Sequence, residues 1–310
     1  MGFGDGLDAI LIEREPLARH TWFNMGGPAR WFARPRSPVE LAEIIRRCRD
    51  HRLDHLMLGL GANLLVDDGG VDAVVTRLDA PEFRTVTFGD EGSSDEVLVS
   101  AGGGADMARL SWATVKRGLR GLEVLAGIPG TVGGIIRMNA GGKFGCVADL
   151  VHEVTVVTPD GVLRTLTPAQ VGFAYRHTRL AGAVVCAATF RLHRDDAARV
   201  QTDYRQIWAY KTSSQPLKCR SAGCVFKNPP GDSAGRLIDQ AGLKGARAGG
   251  AFVSERHANF IVADAGASAT DVMTLIERIR REVRERFGTL LELEVQVWGR
   301  QRPPEAEQAA

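Results

Sequence analysis

Glycine, and where it falls, constrains this chain more than any other feature. Nine of the 28 residues from Gly118 to Gly145 are glycine, and smaller clusters stand at Gly59-Leu60-Gly61 and Gly102-Gly103-Gly104. Each small cluster follows an apolar, strand-like run, His55 to Leu58 and Val97 to Ala101. A residue without a Cβ is needed at such a place either to turn the chain tightly or to let a ligand approach the backbone. The chain has 36 glycines in 310 residues, about 12% against a usual share near 7%, so the clusters are a genuine excess. A single glycine is most often only a turn. Three clusters placed after strands favour a bound ligand.

The surrounding pattern reads as three units, at residues 1–80, 81–195 and 196–310. In the first, Ser37-Pro38-Val39-Glu40 supplies an N-cap, a first-turn proline and a capping-box glutamate. Leu41, Ile44, Ile45 and Cys48 follow at helical spacing, and strands are expected at His55–Leu58 and Ala73–Thr76. The second unit has strand-like Thr85–Phe88 and Val97–Ser100, a helix from Asp106 to Arg117, the glycine-rich stretch, strand Val151–Thr158 and a Pro159-Asp160-Gly161 turn. The charged run Arg191–Arg199 reads as its exit. In the third, Thr270-Asp271 is expected to cap a helix with the stripe Val272, Ile276, Ile279, Val283 and Phe287, stopped by Gly288. Period-two alternation then predicts a strand over Leu291–Trp298, burying Leu291, Leu293, Val295 and Val297. Glu292, Glu294 and Gln296 share its other face, which is ordinarily the solvated side of a sheet.

Several function classes fall away. With 39 basic and 37 acidic side chains the net charge is +2, which removes the electrostatic case for a nucleic-acid partner or a membrane-surface patch. No segment approaches the roughly 20 apolar residues of a spanning helix, and the opening apolar run, Ala9 to Ile12, is far shorter than the roughly 7–15 of a signal-peptide core. No membrane insertion is expected. Five cysteines, with no C-x-x-C pair, fit a reducing cytoplasm better than a disulfide framework or a zinc site. Leu64 stands where a dinucleotide fingerprint needs its third glycine, and Phe144 follows Gly142-Lys143 where a P-loop needs serine or threonine. His51 and His55 lack an acidic partner, so no metal site is expected.

Three phrases are more specific than composition. They are Leu58-Gly59-Leu60-Gly61-Ala62-Asn63-Leu64-Leu65-Val66, the run from Gly121 to Gly134 (GLEVLAGIPGTVGG), and Ser221-Ala222-Gly223-Cys224-Val225-Phe226-Lys227-Asn228-Pro229. Together, and in this order, they resemble the UDP-N-acetylenolpyruvoylglucosamine reductase (MurB) family, over nearly the whole chain from Thr21-Trp22-Phe23-Asn24-Met25-Gly26-Gly27-Pro28-Ala29 to Glu294-Val295. The resemblance implies an α+β fold, with two α/β FAD-binding subdomains of the vanillyl-alcohol-oxidase (PCMH) kind and then a substrate domain. It further implies FAD as cofactor, NADPH as co-substrate and a UDP-sugar enolpyruvate as substrate, reduced to UDP-N-acetylmuramate in peptidoglycan precursor synthesis. Oligomeric state is not implied either way.

By that likeness, backbone N–H groups around Gly59, Gly61, Ala62, Asn63 and Leu64 surround the FAD pyrophosphate as an anion nest. Gly127, Ile128, Pro129, Gly130, Thr131, Gly133 and Gly134 pack against the flavin end. The reaction needs hydride delivered to the enolpyruvyl double bond, stabilisation of the charge that develops at the carboxylate, and a proton for the adjacent carbon. Phe173-Ala174-Tyr175-Arg176-His177-Thr178 resembles the family's Tyr-Arg motif, so Arg176 is expected to polarise the carboxylate with Tyr175 beside it. Glu294 corresponds to the catalytic glutamate, with Glu292 as the neighbouring alternative. Cys224 stands where the family usually has its proton-donating serine; a thiol, with an ordinary pKa near 8.5, releases its proton more readily than an alcohol. Asn228 and His257 sit where relatives contact the UDP-sugar.

The chain also departs from the family. Ser214 precedes Gln215-Pro216 where relatives commonly have lysine, so Lys211 or Lys218 is a candidate replacement. Lys143-Phe144 alters a stretch that is often Ala-Tyr-Gly. Only Pro230 to Ala234 separates Pro229 from Gly235, too short for the tyrosine loop of one subgroup. Two other readings stay open at this point: a non-catalytic FAD or UDP-sugar binder, and an oxidase of the related FAD fold.

Overall fold

Local chemistry places the helices where the sequence pattern puts them. In the computed structural model, which describes residues 2–89 and 94–299, the Ser37 hydroxyl accepts from the Glu40 N–H at 3.3 Å and the first helix runs Pro38–Asp50. It buries Leu41, Ala42, Ile44, Ile45 and Cys48. Asp106 caps the helix Met107–Lys116 through the Arg109 N–H. The strands expected early in the chain form as Asp54–Met57, Val71–Thr76, Val86–Phe88, Glu96–Gly102 and Val151–Val157.

The chain divides into two units: Met1–Glu13, Trp31–Ala62 and Ala73–Leu217 in the first, and Arg14–Arg30, Asn63–Asp72 and Lys218–Ala310 in the second. A four-stranded sheet has the order Leu11–Glu13, Ala29–Ala33, Val71–Thr76, Asp54–Met57. A six-stranded sheet runs Leu163–Leu166, Val151–Val157, Val184–Arg194, Glu96–Gly102, Val86–Phe88, with Leu119–Arg120 also paired to Val184–Arg194. Its pairings among the described residues are antiparallel, and Val99, Val154, Val156, Phe190 and Leu192 carry its buried face. Across the run Arg191–Arg199 the strand continues to Arg194 and the helix Ala197–Ser214 begins after the Asp196 cap.

Packing alone requires the cluster Gly102-Gly103-Gly104. A Cβ at these three positions would lie 2.2 Å from the Phe83 carbonyl oxygen, 2.1 Å from that of Val185 and 1.7 Å from that of Leu78. Backbone crosses backbone there, and no side chain fits. The Gly103 N–H donates to the Cys186 carbonyl at 2.6 Å, while the Gly103 carbonyl accepts from the Gly133 N–H at 2.8 Å.

In the second unit, Arg247–Ala248, Ala251–Val253 and Ile261–Ala263 form an antiparallel sheet, and Leu64–Val66 pairs in parallel with Gln296–Trp298. Helix Ala269–Phe287 packs Val272, Leu275, Ile276, Ile279 and Val283 into a core with Phe226, Leu237, Ile238 and Leu291. Its cap is Ser268, two residues before the expected pair Thr270-Asp271, because Asp271 serves as the capping-box residue that answers Ser268. Gly288 ends it in the left-handed region at φ 68°. Phe287 lies beyond the core edge and is exposed.

The expected strand Leu291–Trp298 is broken. Only Gln296–Trp298 is a strand, and Val295 sits in a bend. The Val225 carbonyl accepts from both the Glu294 N–H at 2.8 Å and the Val295 N–H at 3.3 Å. Two residues facing one acceptor form a bulge, which ends the simple alternation. Glu292 is therefore exposed while Glu294 is half-buried.

His55, in the strand leading to the first glycine phrase, hydrogen-bonds Thr76 Oγ1 at 2.8 Å, and burial pushes its imidazole down to about 4. The folded protein holds it neutral, whereas the unfolded chain takes up a proton below the ordinary 6.5. This contribution to stability is full above pH 6.5 and is lost as pH falls toward 4, by up to about 3 kcal/mol. Urea unfolding of the wild type and His55→Gln at pH 7 and 4.5 checks it: the acid loss shrinks in the variant, and equal loss in both contradicts the assignment.

Candidate active site

The first unit brings two of the glycine phrases together. A Cβ on Gly59 would lie 3.0 Å from Thr131 Oγ1, and that hydroxyl accepts from the Gly134 N–H at 3.2 Å to cap the short helix Val132–Arg137. Gly61 and Gly127 hold positive φ of 66° and 74°, which excludes most side chains. Gly134 differs: a Cβ there would touch only Thr131 Oγ1, at 3.4 Å, so packing does not require its glycine. Residues 127–131 are half-buried. A half-exposed strip of backbone kept bare of side chains, beside Gly59, Gly61 and Ala62, fits the elongated, phosphate-bearing FAD.

The same stretch positions Arg176. Ala174 and His177 exchange backbone hydrogen bonds at 2.9 and 3.1 Å, leaving Tyr175 and Arg176 at the tip of a tight turn. Arg176 takes φ 52°, a left-handed conformation that costs an L-residue about 1–2 kcal/mol. Three side-chain contacts anchor the turn to the segment after helix Val132–Arg137. Asn139 Nδ2 donates to the Ala174 carbonyl at 2.9 Å, Arg176 Nη2 to the Gly141 carbonyl at 2.9 Å, and Thr178 Oγ1 to the Arg137 carbonyl at 3.0 Å. The Arg176 guanidinium lies 5.0 Å from the centroid of the Tyr175 ring, and Tyr175 is 53% exposed.

In the second unit, residues 224–228 thread between two other segments. Cys224 bridges Phe260, Phe226 bridges Leu293, and the Lys227 N–H donates to the Glu292 carbonyl at 2.9 Å. Buried Asn259 grips Phe226 at both ends: Oδ1 accepts its N–H at 2.9 Å and Nδ2 donates to its carbonyl at 2.8 Å. Cys224 and Glu294 are both half-buried, and the Val225 carbonyl between them fixes the Glu294 backbone. Asn63 Nδ2 holds the Glu294 carbonyl at 3.0 Å, while Leu64 is a buried strand residue. Lys227 pairs with Glu292 at 3.2 Å on the exposed side.

Asn228 Oδ1 accepts from the Ala234 N–H at 3.1 Å at the start of helix Ala234–Gln240, and His257 lies against Gly235. His257 Nδ1 accepts from the Asn259 N–H at 3.3 Å, which leaves the ring proton on Nε2, and burial lowers its pKa. Among the described residues no group of three His, Cys, Asp or Glu side chains could hold a metal ion, and no helix is long and apolar enough to cross a membrane.

Comparison with known proteins decides the family. Residues 215–298 match the UDP-N-acetylenolpyruvoylglucosamine reductase C-terminal domain, and residues 29–167 match an FAD binding domain. A UDP-N-acetylenolpyruvoylglucosamine reductase 2 from Symbiobacterium thermophilum is 46% identical over 92% of this chain and 91% of its own length. The Moorella thermoacetica reductase is 45% identical over 95% of each. The chain belongs to the UDP-N-acetylenolpyruvoylglucosamine reductase family. The crystal structure of the Thermus caldophilus member, at 37% identity, superposes with a TM-score of 0.78 over 93% of this chain and 98% of that one. Its fold is accordingly the α+β FAD-binding fold with a C-terminal domain.

Asn139 and Asn259 also tie these segments together, though nothing in the sequence marks them for it. Asn259 lies two residues after His257, and Asn139 lies within the glycine-rich run; neither residue type nor spacing marks a clamp. Asn259→Ala is expected to strand the buried Phe226 N–H and carbonyl and destabilise the protein by about 3 kcal/mol. Denaturant unfolding measures this, and a change below 0.5 kcal/mol, roughly a neutral surface substitution, would refute the clamp.

Proposed function

We propose that this FAD-dependent oxidoreductase, which reduces UDP-N-acetylglucosamine enolpyruvate to UDP-N-acetylmuramate with NADPH as co-substrate, reduces its substrate through Arg176, Cys224 and Glu294. The observation that carries the assignment is the bulge at the Val225 carbonyl, which sets Glu294 apart from exposed Glu292 and fixes its backbone beside the Cys224 segment. Gly59, Gly61, Ala62, Asn63 and Leu64, with Gly127–Gly134, would hold FAD. When bound, FAD supplies the two-electron transfer from NADPH to the enolpyruvyl double bond.

The chain's own groups handle charge and protons. As the substrate is reduced, negative charge grows toward its carboxylate, and the Arg176 guanidinium stabilises it from a turn whose backbone is already fixed. Glu294 shares a proton with that carboxylate, and its half-buried setting excludes part of the competing water. The Cys224 Sγ delivers the proton to the adjacent carbon. Tyr175, Asn228 and the Nε2–H of neutral His257 orient the UDP-sugar. Peptidoglycan precursor synthesis is the setting of this reaction. A cytoplasmic location agrees with five cysteines that contain no C-x-x-C pair, and the near-neutral net charge offers no footprint for nucleic acid.

Anaerobic flavin absorbance separates the two halves of the reaction. NADPH is expected to bleach the purified yellow protein, and the enolpyruvyl substrate to restore its colour. Arg176→Lys and Glu294→Gln are expected to slow restoration about a hundred- to thousandfold, an energy of about 2.7–4 kcal/mol, while bleaching proceeds nearly as before. A silent Glu294→Gln beside a crippled Glu292→Gln would move the role to Glu292.

The proton donor has its own signature. Cys224→Ser is expected to keep substantial activity, whereas Cys224→Ala loses colour restoration but still binds FAD and accepts electrons from NADPH. Alkylation should inactivate the wild type, and bound substrate should protect it, with the label located by mass spectrometry among the five cysteines. Full activity in Cys224→Ala would remove the thiol from the mechanism.

A further inference from the structure

One cluster in the first unit has no part in the chemistry above. Gly141 pairs with Cys146 and Gly142 with Gly145, so Lys143 and Phe144 form the tip of a two-residue hairpin. Helix Ala197–Ser214 brings Tyr210 to the same place, where its ring meets that of Phe144 edge-on with centroids 5.5 Å apart. Lys143 Nζ lies 5.2 Å from the Tyr210 ring centroid and 5.9 Å from that of Phe144. Two aromatic rings thus confine an ammonium group that would otherwise sample many rotamers.

This lysine is held but not neutralised. Lys227 and Lys244 pair with carboxylates, whereas Lys143 forms no ion pair among the described residues. Lys143 is exposed, and Tyr210 is 47% exposed. A hydrophobic cover would have hidden the ring, and a structural ion pair would have matched the charge. The base of the same hairpin is the Gly141 carbonyl that accepts from Arg176, so a ligand engaged by Arg176 can reach the tip along one short ribbon. A confined, uncompensated cation beside a site for nucleotides has the chemistry of a phosphate contact.

We infer that Lys143, confined by Phe144 and Tyr210, forms a phosphate-binding subsite for a nucleotide that enters the active site. The inference rests on the reductase reading above. The phosphate comes from one of two sources, the 2′-phosphate of NADPH or the diphosphate of the UDP-sugar, and both present anionic phosphate oxygens to the ammonium.

Equilibrium titration of the FAD-loaded protein with UDP and with adenosine 2′,5′-bisphosphate tests it without turnover. Lys143→Met is expected to weaken one probe about tenfold or more, with the loss shrinking at high salt, while Lys143→Arg retains most of the affinity. Tyr210→Leu leaves the charge but releases it, and a smaller loss of the same probe is expected. A loss confined to UDP assigns the subsite to the sugar nucleotide, and one confined to the bisphosphate assigns it to NADPH. Unchanged affinity of Lys143→Met for both probes overturns the inference while leaving the reductase reading intact. Wild-type protein that binds neither probe would count against the reductase reading itself.

Discussion

Close approach of bare backbone at Gly103 is the constraint on which the first unit depends. The edge of strand Glu96–Gly102, the long strand Val184–Arg194 and the start of helix Val132–Arg137 meet there through two hydrogen bonds of 2.6 and 2.8 Å. A methyl group at Gly103 would come within 2.1 Å of the Val185 carbonyl oxygen and force the strands apart. From that point the order is sequential. The helix fixes the bare strip Gly127–Gly134 on one side and Asn139 and Gly141 on the other, and these hold the turn that carries Arg176.

That turn explains why a strained residue is tolerated. Its left-handed Arg176 costs about 1–2 kcal/mol, against the backbone pair between Ala174 and His177 and the bonds from Asn139 and Arg176 itself, each worth about 1 kcal/mol net. The strain is offset locally, so it needs no rearrangement when charge develops on a ligand. Such preorganisation is what a guanidinium requires if it is to favour the charged state over the neutral one.

How much of this was legible in the sequence depends on the range of the interaction. Helices with their own caps and stripes, Pro38–Asp50 and Met107–Lys116, follow from signals within a few residues. Glycine phrases are visible as excess, but their meaning is not: Gly102–Gly104 makes room for carbonyls 19 to 82 positions away in sequence, and no local pattern separates that from a ligand cradle. The strand through Glu294 was misread for the same reason. Alternation from Leu291 to Val297 is real in composition, yet the second amide arriving at the Val225 carbonyl, some 70 residues distant, sets the bend. That departure from alternation is also what distinguishes Glu294 from Glu292.

Asparagine does the same work in both units. Its side chain is a peptide group on a one-carbon stem, with one acceptor and two donor hydrogens. Asn259 uses both ends on the N–H and carbonyl of Phe226, imitating with a side chain the partner residue of an antiparallel pair. Asn139 does this between two separate segments, donating to Ala174 and accepting from Ala148 at 3.3 Å. Each stands next to an irregular segment, the turn at Tyr175-Arg176 or the run through Cys224. A ladder would satisfy the same backbone groups but would impose its own twist and register. Asparagine satisfies the buried groups and leaves the geometry to the site.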